Sequence, residues 1–146
     1  MNLKFNINWE IKNRETEEKV KLVLFDCMVK MHELATINAP VDVGTLKASI
    51  KLFPSVPGFK SYVLADGVTY GIHMEFGTRP HYISAKHLKG WAKRVLGDEG
   101  AAYPVAKKIA LLGVEAQPFM RPALDQVKNI WVERFWNREF NKGIKK

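Results

Sequence analysis

From Asn13 to Ile37 apolar residues recur at three- and four-residue steps: Val20, Val23, Leu24, Cys27, Met28, Met31, Leu34 and Ala35. That spacing lays them along one stripe of a helix. Asn13 is placed to cap its start, and Glu15, Glu17 and Glu18 put negative charge where the helix dipole favours it. Pro40 stops the helix, because a residue before proline is pushed out of the α region. The period then changes to two. Leu46, Ala48, Ile50 and Leu52 alternate with Lys47, Ser49 and Lys51, which predicts a half-buried strand. Pro54, Pro57 and Gly58 break the chain, and Phe59 to Ala65 predict a second strand. Asp66-Gly67 is a hairpin signal, followed by alternation of Val68, Tyr70, Ile72, Met74 and Phe76. The reading is a three-stranded antiparallel meander, with a short helix around Tyr70 to Glu75 as the alternative to its last strand.

Helical periodicity returns after Ser84, a capping residue. Leu88, Trp91, Ala92, Val95 and Leu96 share a face, and Gly97 is the stop. Pro104 opens a further helical run through Val105, Ala106, Ile109 and Ala110, ended by Gly113. A last helix is predicted from Arg121 to Phe140. Its main stripe is Leu124, Val127, Trp131 and Phe135, and a second set, Val132, Trp136 and Phe140, points elsewhere. A monomer does not readily bury two faces of a terminal helix, so Trp136 and Phe140 are expected at a protein–protein contact. The predicted fold class is α+β: a small antiparallel or mixed sheet flanked by a long N-terminal helix and a C-terminal helix. One domain accounts for the 146 residues, with a basic aromatic tail over 125–146.

Composition narrows the classes. A hydrophobic fraction of 47% with 26% charged residues is ordinary globular material. No apolar run approaches the ~20 residues of a membrane span, so no membrane partner is expected. The opening segment MNLKFNINWEIKNRE lacks the apolar core of a secretory signal. Cys27, the single cysteine, sits in the apolar stripe and is expected to be a buried, inert thiol. The net charge is +8, part of it in the tail: Lys128, Arg134, Arg138, Lys142, Lys145 and Lys146 against Glu133 and Glu139. Such a tail suits an acidic protein surface, nucleic acid or plain solvent.

Catalytic patterns are missing. There is no nucleophile elbow, and no glycine spacing of a phosphate or dinucleotide loop. His73, Glu75, His81 and His87 are legitimate metal-ligand types within fifteen residues. They lack a recognised zinc spacing, so neither metal nor cofactor is expected. Glu75 has no carboxylate partner nearby in sequence for acid–base work. The alternation of Trp131, Arg134, Phe135, Trp136, Arg138 and Phe140 offers charge and stacking surface, which supports a small basic DNA-binding protein as the alternative function.

Three short segments carry more. They are Ala39 to Ile50 (APVDVGTLKASI), Tyr70 to Thr78 (YGIHMEFGT) and Gln117 to Leu124 (QPFMRPAL). In this order, with a helix before them and Trp91 between the second and third, they resemble the neck or tail-completion proteins of long-tailed bacteriophages, often described as minor tail components. The matching residues are Ala39-Pro40-Val41-Asp42, Gly44, Leu46, Ser49 and Ile50, then Tyr70, Glu75-Phe76-Gly77-Thr78 and Trp91, then Gln117-Pro118-Phe119 and Pro122-Ala123-Leu124. The likeness spans about residues 28–124. Val43 departs from it, standing where the family usually has threonine.

The resemblance implies a non-enzymatic virion protein that joins the DNA-filled head to the tail, made in the host bacterial cytoplasm. It implies a homo-oligomeric ring, sixfold or twelvefold, beside connector or adaptor, tail terminator or tail tube proteins. Genome DNA would pass through the channel without sequence-specific binding. On that reading Asp42, Thr45, Glu75 and Arg79 are candidate contacts to a neighbouring subunit, with Trp136 and Phe140. Glu75 and Arg79 are a possible intersubunit ion pair. The basic tail is preferred as a contact to an acidic neighbour, ahead of channel lining. Pro40, Gly44, Gly77, Pro118, Phe119 and Pro122 are expected to shape the backbone, with Phe119 buried between its two prolines.

Overall fold

A 25-residue helix, α1 (Arg14–Asn38), is the spine against which the sheet and the last helical stretch pack. The computed structural model describes residues 2–4, 14–54 and 62–141. The predicted stripe is the buried one: Val20, Val23, Leu24, Cys27, Met28, Met31 and Ala35 are each at most 5% exposed. The expected Asn13 cap, the breaks at Pro57 and Gly58, and the first residues of the second predicted strand lie outside the described residues, as do tail residues 142–146.

Three strands form one antiparallel sheet beside α1: β1 (Asn2–Lys4), β2 (Lys51–Pro54) and β3 (Tyr62–Ala65), in the order β1-β3-β2. Leu64 on the central strand stands opposite Leu3 and Leu52 and is fully buried. The sheet is therefore real and antiparallel, but it is not the predicted meander. Where the first strand was expected to begin, Thr45–Ser49 form a short helix, α2. The predicted third strand is a helix, α3 (Gly71–Phe76), as the alternative reading had it. Asp66-Gly67 does not turn a hairpin; it leads from β3 to α3, with the Gly67 amide donating to the Ser49 carbonyl.

Both errors have one physical cause. A residue and its fourth neighbour share a face in a strand and in a helix alike. Leu46 and Ile50 are buried while Ala48 between them is exposed, which a strand of period two would not allow. In α3 the pair that reads as strand is Ile72 and Phe76, also four apart; both are exposed, and Gly71 and Glu75 are buried instead.

Two helices, α4 (Ala85–Leu96) and α5 (Ala102–Leu112), follow as a hairpin joined through a 3-10 turn at Glu99–Ala101. They pack on each other, with Ala92, Ala102 and Ala106 buried between them. Small side chains let the two axes approach closely. The last helical stretch returns to α1 as α6 (Met120–Gln126), a π turn (Val127–Trp131) and α7 (Val132–Phe140). Its core-facing residues repeat every four positions: Phe119 and Met120, Ala123 and Leu124, Val127, Trp131 and Val132, Phe135 and Trp136, Phe140. A regular helix has 3.6 residues per turn, so a period of four would drift off the core. The π turn takes up the extra residue: the Val132 amide donates to the Val127 carbonyl, five residues back. Trp136 and Phe140 are thereby swung against the chain's own core, half-buried and stacked with ring centres 4.1 Å apart. The outward-pointing second stripe read from the sequence is corrected accordingly.

Candidate functional site

The second and third motifs meet in space around one carboxylate. Glu75 is 2% exposed and is the only buried charged side chain among the described residues. One of its oxygens, Oε2, accepts from the backbone amides of Phe119 (2.8 Å) and Met120 (2.9 Å). Its Oε1 accepts from Arg121 N–H at 2.8 Å. These amides open α6 and have no carbonyl within the helix to bond. No side chain of the segment's own caps them. Glu75 thus caps, from 44 residues away, the helix that QPFMRPAL begins, and its negative charge faces the positive end of the helix dipole. The expectation of Glu75 at a subunit contact is corrected: its acceptor oxygens are engaged inside the chain.

The backbones on either side are laced together. Gln117 N–H donates to the Met74 carbonyl at 2.7 Å, and Thr78 N–H to the Val114 carbonyl at 2.9 Å. Thr78 Oγ1 accepts in return from Val114 N–H at 3.0 Å. The crossing is so close that two glycines are required. Gly77 (φ +73) and Gly113 (φ +79) occupy the left-handed region. A Cβ on Gly77 would lie 2.6 Å from the Val114 carbonyl oxygen, and one on Gly113 2.0 Å from that of Thr78. The Phe119 ring is fully buried, as expected of an aromatic set between Pro118 and Pro122. Arg121 lies over the Phe76 ring at 5.2 Å, a further link between the two motifs.

The first motif holds the helical hairpin. Asp42 accepts from Arg94 Nε (2.7 Å) and the second guanidinium nitrogen (2.6 Å) in a two-pronged pair. Arg94 keeps the Asp42 carboxyl below its ordinary range. Gly44 takes φ +84 at the entry to α2. Thr45 is the first residue of that helix, exposed, and its hydroxyl does not cap it. Pro40 is half-buried after buried Ala39. Arg79 is exposed and has no ion pair among the described residues. Sequence reasoning missed Arg94; its position one turn before Gly97 reads only as a favourable charge near a helix C-terminus.

The imidazoles do not converge. His73 is exposed on α3, His81 Nδ1 lies 2.9 Å from the Arg79 carbonyl oxygen, and His87 is exposed on α4. Among the described residues no three His, Cys, Asp or Glu side chains gather where they could hold a metal ion. Cys27 is buried, and burial, helped by Asp26, pushes its thiol up to about 11. No described helix is long and apolar enough to cross a membrane. In the tail, Arg134 and Arg138 lie over Trp131 and Phe135, and Arg138 is also paired with Asp26 on α1. Comparison with family models, curated proteins and solved structures found no match.

Proposed function

We propose that this chain is a structural protein of a phage neck, acting in tail completion or head–tail connection as a subunit of a ring around the DNA channel. The observation that carries the reading is the Glu75 cap. Segments that resemble the family's second and third motifs are joined by three hydrogen bonds to one buried carboxylate. The most distinctive residues of the resemblance therefore serve architecture. Gly77, Thr78 and Phe119 belong to the same junction, and Asp42 to the contact that holds the hairpin. Motif residues with such roles suit a protein whose work is assembly rather than bond-making.

A second reading, a small basic DNA-binding protein, is supported by charge. Residues 79–112 hold seven lysines and arginines against Asp98 and Glu99. The tail is a weaker candidate for phosphate contact, since Arg138 is paired and Arg134 is laid on an aromatic ring. Electron microscopy of lysates from an infection lacking only this gene separates the readings. The neck reading expects DNA-filled heads and full-length tails as separate populations; normal joined particles overturn it.

A further inference from the structure

The α4–α5 hairpin stands apart from the main core. Among the described residues neither helix contributes a side chain to that core or packs one against it. The hairpin is tied to the body at its root, through the Thr78–Val114 bonds, and by the Arg94–Asp42 pair. Residues 79–112 carry seven lysines and arginines against two acids, a net +5 of the chain's +8. Both acids are engaged: Asp98 accepts from Gly100 N–H, and Glu99 faces Lys93 at 3.5 Å. Lys86, Lys89, Lys107 and Lys108 are exposed and have no acidic partner among the described residues. On α1, by contrast, Lys19, Lys21 and Lys30 are paired with carboxylates of the same helix.

On α4 three lysines form a row. Lys86, Lys89 and Lys93 recur at steps of three and four, which at about 100° per residue puts them within about 60° of one another on the helix surface. The row is about 10 Å long, a length over which duplex DNA carries about six phosphate charges. We infer that this row meets the phosphate backbone of double-stranded DNA without reading its sequence. Phosphate fits it better than an acidic protein does, because contacts between proteins are depleted in lysine, whereas phosphates are met by lysine and arginine. Base edges are read by arginine, asparagine and glutamine above all. α4 has no asparagine or glutamine, and its one arginine, Arg94, is held by Asp42. Lysines are point charges, so one phosphate replaces the next and the DNA slides past. The inference deepens the neck reading, on which it rests for the identity of that DNA as the genome in the channel; the contact itself rests on the hairpin alone.

The test is fluorescence anisotropy of a labelled 30-base-pair duplex titrated with the purified full chain between ~50 and ~200 mM salt. Three engaged lysines give a slope of log affinity on log salt near −2.7, so wild type should weaken about 40-fold over that range. K86E/K89E should bind at least ~10-fold more weakly at the lowest salt and flatten the slope by about 2. The control K51E/K128E makes the same charge change at two exposed lysines off the hairpin and should stay within ~2-fold of wild type. All three proteins should share one circular dichroism spectrum, and AT-rich and GC-rich duplexes should bind alike. Wild type that ignores DNA at the lowest salt overturns the inference, as does a control that loses as much as K86E/K89E. So does displacement of the duplex by poly-glutamate at equal charge concentration, which would assign the row to an acidic protein surface. The neck reading fails separately: normal joined particles in the deletion lysate overturn it and leave a hairpin-dependent DNA contact standing.

Discussion

Replacing Glu75 with alanine removes the shared acceptor of three amides, two of them buried. A buried donor left without a partner costs about 1–3 kcal/mol, so the Phe119 and Met120 amides together account for about 4 kcal/mol. Unfolding entropy scales with chain length, and for 146 residues each kcal/mol moves the midpoint by about 3 °C. Glu75→Ala should therefore lower Tm by about 12 °C. Glu75→Gln keeps one carbonyl oxygen, which can hold Phe119 and Met120 as Oε2 now does, but turns an amide towards Arg121 N–H. It should cost about 1–2 kcal/mol, or about 5 °C. Thermal and urea unfolding followed by circular dichroism measure both, and hydrogen exchange at the Phe119 and Met120 amides reports the cap directly. A loss below ~1 kcal/mol in Glu75→Ala would mean that water caps α6 adequately, refuting the argument. Equal losses in the two variants would mean that charge at the helix end, not acceptor count, is what matters.

Gly113→Ala should destabilise by at least ~2 kcal/mol, from left-handed strain plus a backbone clash, and more than Gly97→Ala, where a Cβ meets open space; urea midpoints compare them. Deleting exposed Asn129 should convert the π turn to α-helix and change Tm little, because the residues beyond it keep their facing. Deleting Glu133 from regular helix should rotate Trp136 and Phe140 by about 100° off the core and shift tryptophan emission to the red. Cys27 should resist thiol reagents at neutral pH in the native state, its thiol being held protonated, and react once urea unfolds the chain. The Asp42 carboxyl is depressed in the fold, so its contribution is present above the ordinary value of about 3.9 and lost as pH falls through the depressed one. The Arg94 Nε–H signal in NMR should lose its protection only in that acid range.

The sequence made α1 legible because its inner stripe, Val20 to Ala35, repeats over about four turns and a proline follows the helix. The stops at Gly97 and Gly113 were equally plain, since a glycine after an apolar run marks a helix end whatever it packs on. Short elements were not. Over five or six residues, spacings of two and of four coincide, so Leu46 with Ile50 and Ile72 with Phe76 read as strand until burial decides. The role of Glu75 was hidden for another reason. A carboxylate that caps a helix 44 residues away leaves no local mark, and the orphan amides it serves belong to any helix start. The π turn left a trace that was misread: the four-residue repeat from Phe119 to Phe140 looked like two stripes on a straight helix. Leu22, Phe25 and Val29 are exposed on α1, and only exposure separates them from the wide apolar face of a buried helix.

The most direct test of the proposed role is reconstitution. Purified chain added to a lysate that lacks it, containing separate DNA-filled heads and finished tails, should produce joined infectious particles. The gain should be proportional to added protein until one component is exhausted. Folded chain that leaves heads and tails apart, with infectivity unchanged at every concentration, would contradict a place at the head–tail joint.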